Sequence, residues 1–84
     1  MKIFSTKTYE RAIRKLIPTE SRRKMDDSIT EDPTVAPIIL GTGGIRKLRW
    51  SVPGRGKRGG IRMNYFYHPT PEEIYLLTTY GKST

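Results

Sequence analysis

Seven cationic side chains carry the chemistry this sequence offers: Arg46, Lys47, Arg49, Arg55, Lys57, Arg58 and Arg62. They fall between Pro33 and Pro71, a stretch with no aspartate or glutamate, which supplies +7 of the formal net charge of +8. Charge spread evenly would only keep a small protein soluble. Charge gathered into one acid-free segment asks for a polyanion: nucleic acid, an acidic protein or an anionic membrane. Arginine stays protonated and grips a phosphate through paired N–H donors, whereas lysine is a point charge whose pKa moves with its surroundings. Trp50, Tyr65, Tyr67 and Tyr80 are interleaved with these cations or follow them. Cations that hold phosphates and flat rings that stack on unstacked bases are the mix that binds single-stranded RNA. For Trp50 and Tyr65, packing in the core is the stronger reading.

Other chemistry finds little support. Gly54-Arg-Gly-Lys-Arg-Gly59 has the G-x-G-x-x-G spacing of a dinucleotide site. That site needs a helix directly after the loop, with its N-terminus on the pyrophosphate. Here a strand pattern follows, and the variable positions are cationic. Gly81-Lys-Ser-Thr84 resembles the end of a phosphate-binding loop, but Leu76 stands where its first glycine belongs. His68 is the only histidine and there is no cysteine, so a transition-metal site is not expected. The neighbouring pairs Asp26/Asp27 and Glu72/Glu73 point their side chains apart and make no acid–base couple. No serine has a recognisable His–Asp constellation.

The elements that must position the cations read as follows. Met1–Ser5 is a short strand, and Ser5 or Thr6 stops it and caps the next element. Thr6–Ile17 is a helix, with Tyr9, Ile13, Leu16 and Ile17 on one apolar face. Pro18 ends it. Thr19 is the expected N-cap of a second helix from Glu20 to about Glu31, whose apolar face is only Met25 and Ile29. Its charged remainder, from Arg22 to Glu31, reads as a solvated face. Pro33–Gly44 is an irregular connector. Ile45–Val52 is a strand with Arg46, Leu48, Trp50 and Val52 on one side and Lys47 and Arg49 on the other. Pro53–Gly60 is a glycine-rich hairpin connection. Ile61–His68 is a strand with Ile61, Met63, Tyr65 and Tyr67 opposite Arg62, Asn64 and Phe66. His68–Pro71 is a turn. A last strand runs from Glu72 or Glu73 to Tyr80, apolar enough to suggest cover on both faces.

The order β-α-α-β-β-β predicts one small α+β domain over residues 1–84, an antiparallel sheet with both helices on one face. Eighty-four residues leave a thin core. No apolar run approaches a membrane span, and Met1–Lys15 has no signal-peptide h-region. A cytoplasmic protein without cofactor is the expectation.

Three blocks then resemble a known family. GTGGIRKLRW at 41–50, GKRGGIRMNYFY at 56–67 and IYLLTTYGK at 74–82 are similar, in that order, to the HigB/RelE superfamily of toxin–antitoxin ribonucleases, in its HigB-like branch. They span about half the chain. The resemblance implies a RelE-like, microbial-RNase-like fold and a toxin that cleaves mRNA in the ribosomal A site. It implies neutralisation by a helix-turn-helix antitoxin of HigA type. It implies catalysis without a metal, by attack of the substrate's own 2′-hydroxyl on the adjacent phosphate. Such attack needs a base, positive charge on the phosphorane and an acid for the leaving 5′-oxygen. A lysine crowded by cations has its charged form disfavoured, which brings its pKa towards a useful range.

Carried over by motif, Arg62 is the arginine of φ-R-x-x-Y and the first candidate for transition-state stabilisation. Lys57 is a candidate for proton transfer, and Lys82 stands after the last strand, where it can join Arg62. Lys47 and Arg49 on the strand, with Arg55 and Arg58 on the hairpin, hold phosphates of mRNA or rRNA. Relatives continue past Y-G-K with acidic and polar residues and a C-terminal helix, a segment from which several bring a further catalytic arginine or tyrosine, and this sequence stops at Thr84. An alternative follows: a RelE-fold protein that binds RNA or antitoxin without cleaving.

Overall fold

The computed structural model describes residues 1–52 and 60–81. Among these residues, two helices and four strands follow one another as β1 (Lys2–Ser5), α1 (Lys7–Leu16), α2 (Thr19–Glu31), β2 (Ile45–Trp50), β3 (Ile61–Pro69) and β4 (Glu72–Gly81). This is the α+β domain expected, with its helices N-terminal to the long strands. The sheet has the order β1-β4-β3-β2. β2, β3 and β4 pair antiparallel, while β1 lies parallel to β4, so the sheet is mixed.

Thr6 makes the parallel pairing possible. Its Oγ1 accepts from the Tyr9 amide at 2.9 Å, capping α1, and donates to the Leu77 carbonyl at 2.6 Å. Its amide also donates to the Leu76 carbonyl. One residue thus ends β1, starts α1 and ties both to the far strand of the sequence. A cap of this kind contributes about 1 kcal/mol. At α2 the expected cap is displaced: Pro18 takes the N-cap position and Thr19 is already helical. Proline supplies the extended backbone there, but no side-chain bond.

Both helices cover one face of the sheet. Tyr9 and Ile13 from α1, and Met25 and Ile29 from α2, join Leu48, Ile61, Met63, Tyr65, Ile74 and Leu76 in one core. Burying each large apolar side chain stabilises by roughly 1.5–3 kcal/mol. Tyr65 and Trp50 belong to this side, as their core reading required. Tyr65 is fully buried and donates to the Pro33 carbonyl at 2.8 Å; half-buried Trp50 donates to Ser21 Oγ at 3.2 Å.

The charged side of α2 is not simply solvated. Arg22 donates to Glu10 on α1 at 2.7 Å, lies 3.8 Å from Asp26, and sits over the Tyr9 ring. Bonds from Arg22 and then Ser5 hold the Glu10 carboxyl below its usual range. Burial pushes Asp26 above its usual range despite Arg22. Burial, with the charge of Asp26, also pushes the Tyr9 hydroxyl far above the tyrosine range.

The connector 33–44 contains more order than its composition suggests. Ile39 donates to the Ile45 carbonyl and Lys47 to that of Pro37, and Ile38 bridges Arg46. These bonds cover the outer edge of β2. Thr42 Oγ1 accepts from the Ile45 amide at 3.0 Å, and Gly41 and Gly43 take φ near +80°, the left-handed region glycine tolerates. Arg46 points to the core side and donates to the Ala36 carbonyl at 2.7 Å.

β4 departs from the expectation of cover on both faces. Ile74 and Leu76 are buried, Tyr75 and Leu77 only half so, and among the described residues no helix packs over the second face. That face carries Lys47, Arg49 and Arg62 of the predicted site residues.

Candidate nucleic-acid interface

The register of the sheet sorts the second face into rows. Arg49 of β2 is opposite Arg62 of β3, which is opposite Tyr80 of β4. The next row is Lys47, Asn64 and Thr78. Beyond it lie Ile45, Phe66, Tyr75 and, on β1, Phe4. His68, Glu73 and Lys2 close the face. Each residue follows from strand alternation: Ile61, Met63 and Tyr65 point into the core, so Arg62, Asn64 and Phe66 point away.

Tyr80 reaches this face by an irregularity. Strict alternation from Ile74 and Leu76 would turn Thr78 and Tyr80 into the core. The register shifts between Asn64 and Tyr65, which pair with Thr78 and Leu76, and leaves Leu77 as the extra residue of a bulge. Thr79 is then the buried residue, donating to the Arg62 carbonyl at 2.8 Å, and Tyr80 emerges beside Arg62. Bulges re-aim side chains in this way. The sequence reading has Tyr80 as a strand aromatic and not as a site residue; counting by twos from Ile74 and Leu76 would not bring it to this face.

Among the described residues, the cations at this end of the face have no acidic partners. Directly opposed side chains on neighbouring strands have Cβ atoms about 4.5–5.5 Å apart, and like charges so placed repel. Arg49 and Arg62 are such a pair. Among the described residues the ion pairs are those of Arg22 with Glu10 and Asp26, none on this face. The Arg62 guanidinium folds back to the Ile61 carbonyl at 3.3 Å. Glu73, the acid of the last row, lies some six residues along the strands, about 20 Å away, and accepts from Tyr75 at 2.8 Å.

Gly60 keeps room for this arrangement. A Cβ there would lie 3.0 Å from the Trp50 carbonyl and 3.9 Å from the Arg62 guanidinium. The glycine before Arg62 thus serves the close approach of β2 and β3.

Of the seven predicted site residues, the structure brings Lys47, Arg49 and Arg62 together on one uncovered face. Arg55, Lys57, Arg58 and Lys82 lie outside the described residues. β4 ends at Gly81 opposite Ile61, one residue from Arg62. His68 stands in β3 opposite Glu73 and not in the turn, which is confined to Thr70 and Pro71; its Nδ1 lies 3.0 Å from the Pro71 carbonyl. Among the described residues no three His, Asp or Glu side chains gather as a metal ion requires. A pocket of about 220 Å³ lies on the helix side, between α2 and Trp50, and Lys47, Arg49 and Arg62 do not line it. No protein-family model matches the chain. Among the described residues no helix is long and apolar enough to cross a membrane.

Proposed function

We propose that this chain is a metal-free endoribonuclease of the HigB/RelE kind, a cytoplasmic toxin that cleaves mRNA in the ribosomal A site. The observation behind this reading is the Arg49–Arg62–Tyr80 row on the uncovered face. Two arginines held opposite one another cost stability in the free protein. A bound phosphate removes that cost, since it accepts from both guanidinium groups at once.

In this reading the substrate's 2′-oxygen forms a bond to phosphorus as the bond to the 5′-oxygen breaks. Arg62 and Arg49 stabilise the negative phosphorane between them. The phenol of Tyr80, the third member of the row, protonates the leaving 5′-oxygen. The proton of the 2′-hydroxyl goes to a lysine, for which the resemblance offers Lys57 and Lys82. Lys47 holds a neighbouring phosphate. The products are a 2′,3′-cyclic phosphate and a 5′-hydroxyl. A helix-turn-helix antitoxin of HigA type is the proposed protein partner.

Controlled expression tests the reading. Induction of the chain should arrest growth and leave translated mRNA cut within the reading frame, as mapped by primer extension. Intact mRNA in cells that accumulate folded protein would overturn the cleavage reading and leave RNA binding without catalysis.

A further inference from the structure

The row beyond the cations is aromatic, and its geometry has an open end. Phe66, Tyr75 and Phe4 come from three adjacent strands, β3, β4 and β1. Phe4 and Tyr75 are stacked, with ring centroids 5.1 Å apart and planes 15° from parallel. Tyr75 and Phe66 follow at 6.4 Å with a tilt of 43°. Two features hold the stack. Tyr75 is tethered by its hydroxyl, which donates to Glu73 at 2.8 Å. Gly44 makes room for Phe66, since a Cβ there would lie 3.1 Å from its ring.

The stack stops at β1, the edge strand. One face of the Phe4 ring is covered by Tyr75, and 42% of the residue is exposed. An exposed phenylalanine beside two further rings, on the face that carries Lys47, Arg49 and Arg62, is not explained by the core. Lys2 shares its strand and face, two residues away. The surroundings are therefore aromatic and cationic together, which suits a flat π-system on an anionic backbone.

We infer that the open face of Phe4 is a stacking site for a nucleobase of single-stranded RNA whose phosphates run over Arg62 and Arg49. The inference rests on the RNA reading of this face. From Arg62 to Phe4 the path crosses two strand spacings and four residues, roughly 16 Å in all. The stacked base is thus a flanking one, removed from the phosphate in the arginine row. Stacking of this kind is indifferent to base identity, because every base has a π-face. The site lengthens the footprint and adds affinity without a sequence preference.

The test uses an eight-nucleotide oligoadenylate RNA with 2′-O-methyl groups to prevent cleavage, and the purified chain. An abasic scan moves one missing base along the oligomer. Loss of a base–ring stack should weaken binding about 5- to 100-fold, and the scan should show such a loss at a position flanking the arginine row. Phe4→Leu keeps an apolar side chain and removes the ring. It should weaken binding of the intact oligomer to the same degree and be insensitive to that abasic position, while Phe4→Trp restores both. A scan with no sensitive position, or a Phe4→Leu protein that binds like the parent, overturns the proposal. The abasic scan on the unmodified chain needs no folded variant. Arg62→Ala separates the two readings. If it weakens binding and Phe4→Leu does not, the stacking site fails and the RNA reading stands. If neither changes binding, both fail.

Discussion

Reversing one charge in the arginine row should stabilise the fold and weaken the function. Arg49→Glu places a carboxylate opposite Arg62, which it faces in register on β3. Two unit charges about 6 Å apart interact by roughly 0.7 kcal/mol in a water-like dielectric. Salt near physiological strength screens part of this. The change from repulsion to attraction is therefore worth about 0.5–1 kcal/mol in favour of the variant. For a domain of this size, about 1 kcal/mol shifts Tm by roughly 4–8 °C. The variant should melt about 2–8 °C higher at low salt, and the gain should shrink as salt is added. RNA binding should move the other way. Losing one contact to a single-stranded phosphate flattens the log–log salt dependence by about 0.7. Near 0.15 M salt the lost counterion release alone weakens binding about fourfold, and repulsion by the new carboxylate brings the loss to roughly tenfold. Calorimetry gives the first quantity and fluorescence anisotropy with labelled RNA the second. A variant that melts lower and binds RNA as before would refute the like-charge pair as a phosphate site.

Four further outcomes are expected. Thr6→Ala loses the cap on Tyr9 and the bond to Leu77, and chemical denaturation should show a cost of about 1–2 kcal/mol. Tyr65→Phe leaves the part-buried Pro33 carbonyl without this donor, at a cost of about 1 kcal/mol. Glu10 has a lowered pKa, held down first by the bond from Arg22. Its contribution is present above the ordinary carboxylate pKa and lost as pH falls through the lowered value, so Glu10→Gln should destabilise at neutral pH and converge with the parent in acid. Asp26 is shifted upward by burial, so its sign is reversed. The parent loses stability as pH rises through that raised pKa, and the advantage of Asp26→Asn should grow over the same range in pH-dependent melting.

Period-two and helical patterns were enough to place both helices, the three long strands and the faces of β2 and β3. They put Lys47, Arg49 and Arg62 on faces that the sheet then aligns. They separated Arg46 from that set, and the structure spends Arg46 on the Ala36 carbonyl. Three features were not legible. The parallel pairing of β1 with β4 joins segments some 70 residues apart, and no local pattern encodes a contact at that range. Tyr80 reaches the arginine row through a bulge at Leu77, and one inserted residue reverses the face of all that follow. Arg22 and Asp26 read as solvated because α2 has few apolar residues. They are half-buried because α1 packs beside them and offers Glu10 as a partner. In each case the missing information was which element lies alongside, a tertiary fact.

We propose that the uncovered arginine row turns over RNA through its 2′-hydroxyl. The most direct measurement is cleavage of a defined mRNA on purified, programmed ribosomes, with the ends of the products mapped. Cuts in the A-site codon are expected, leaving 2′,3′-cyclic phosphate or 3′-phosphate and 5′-hydroxyl ends, with loss of cleavage in a folded Arg62→Ala protein. Products with 5′-phosphate ends, or parent-level cleavage by Arg62→Ala, would contradict it.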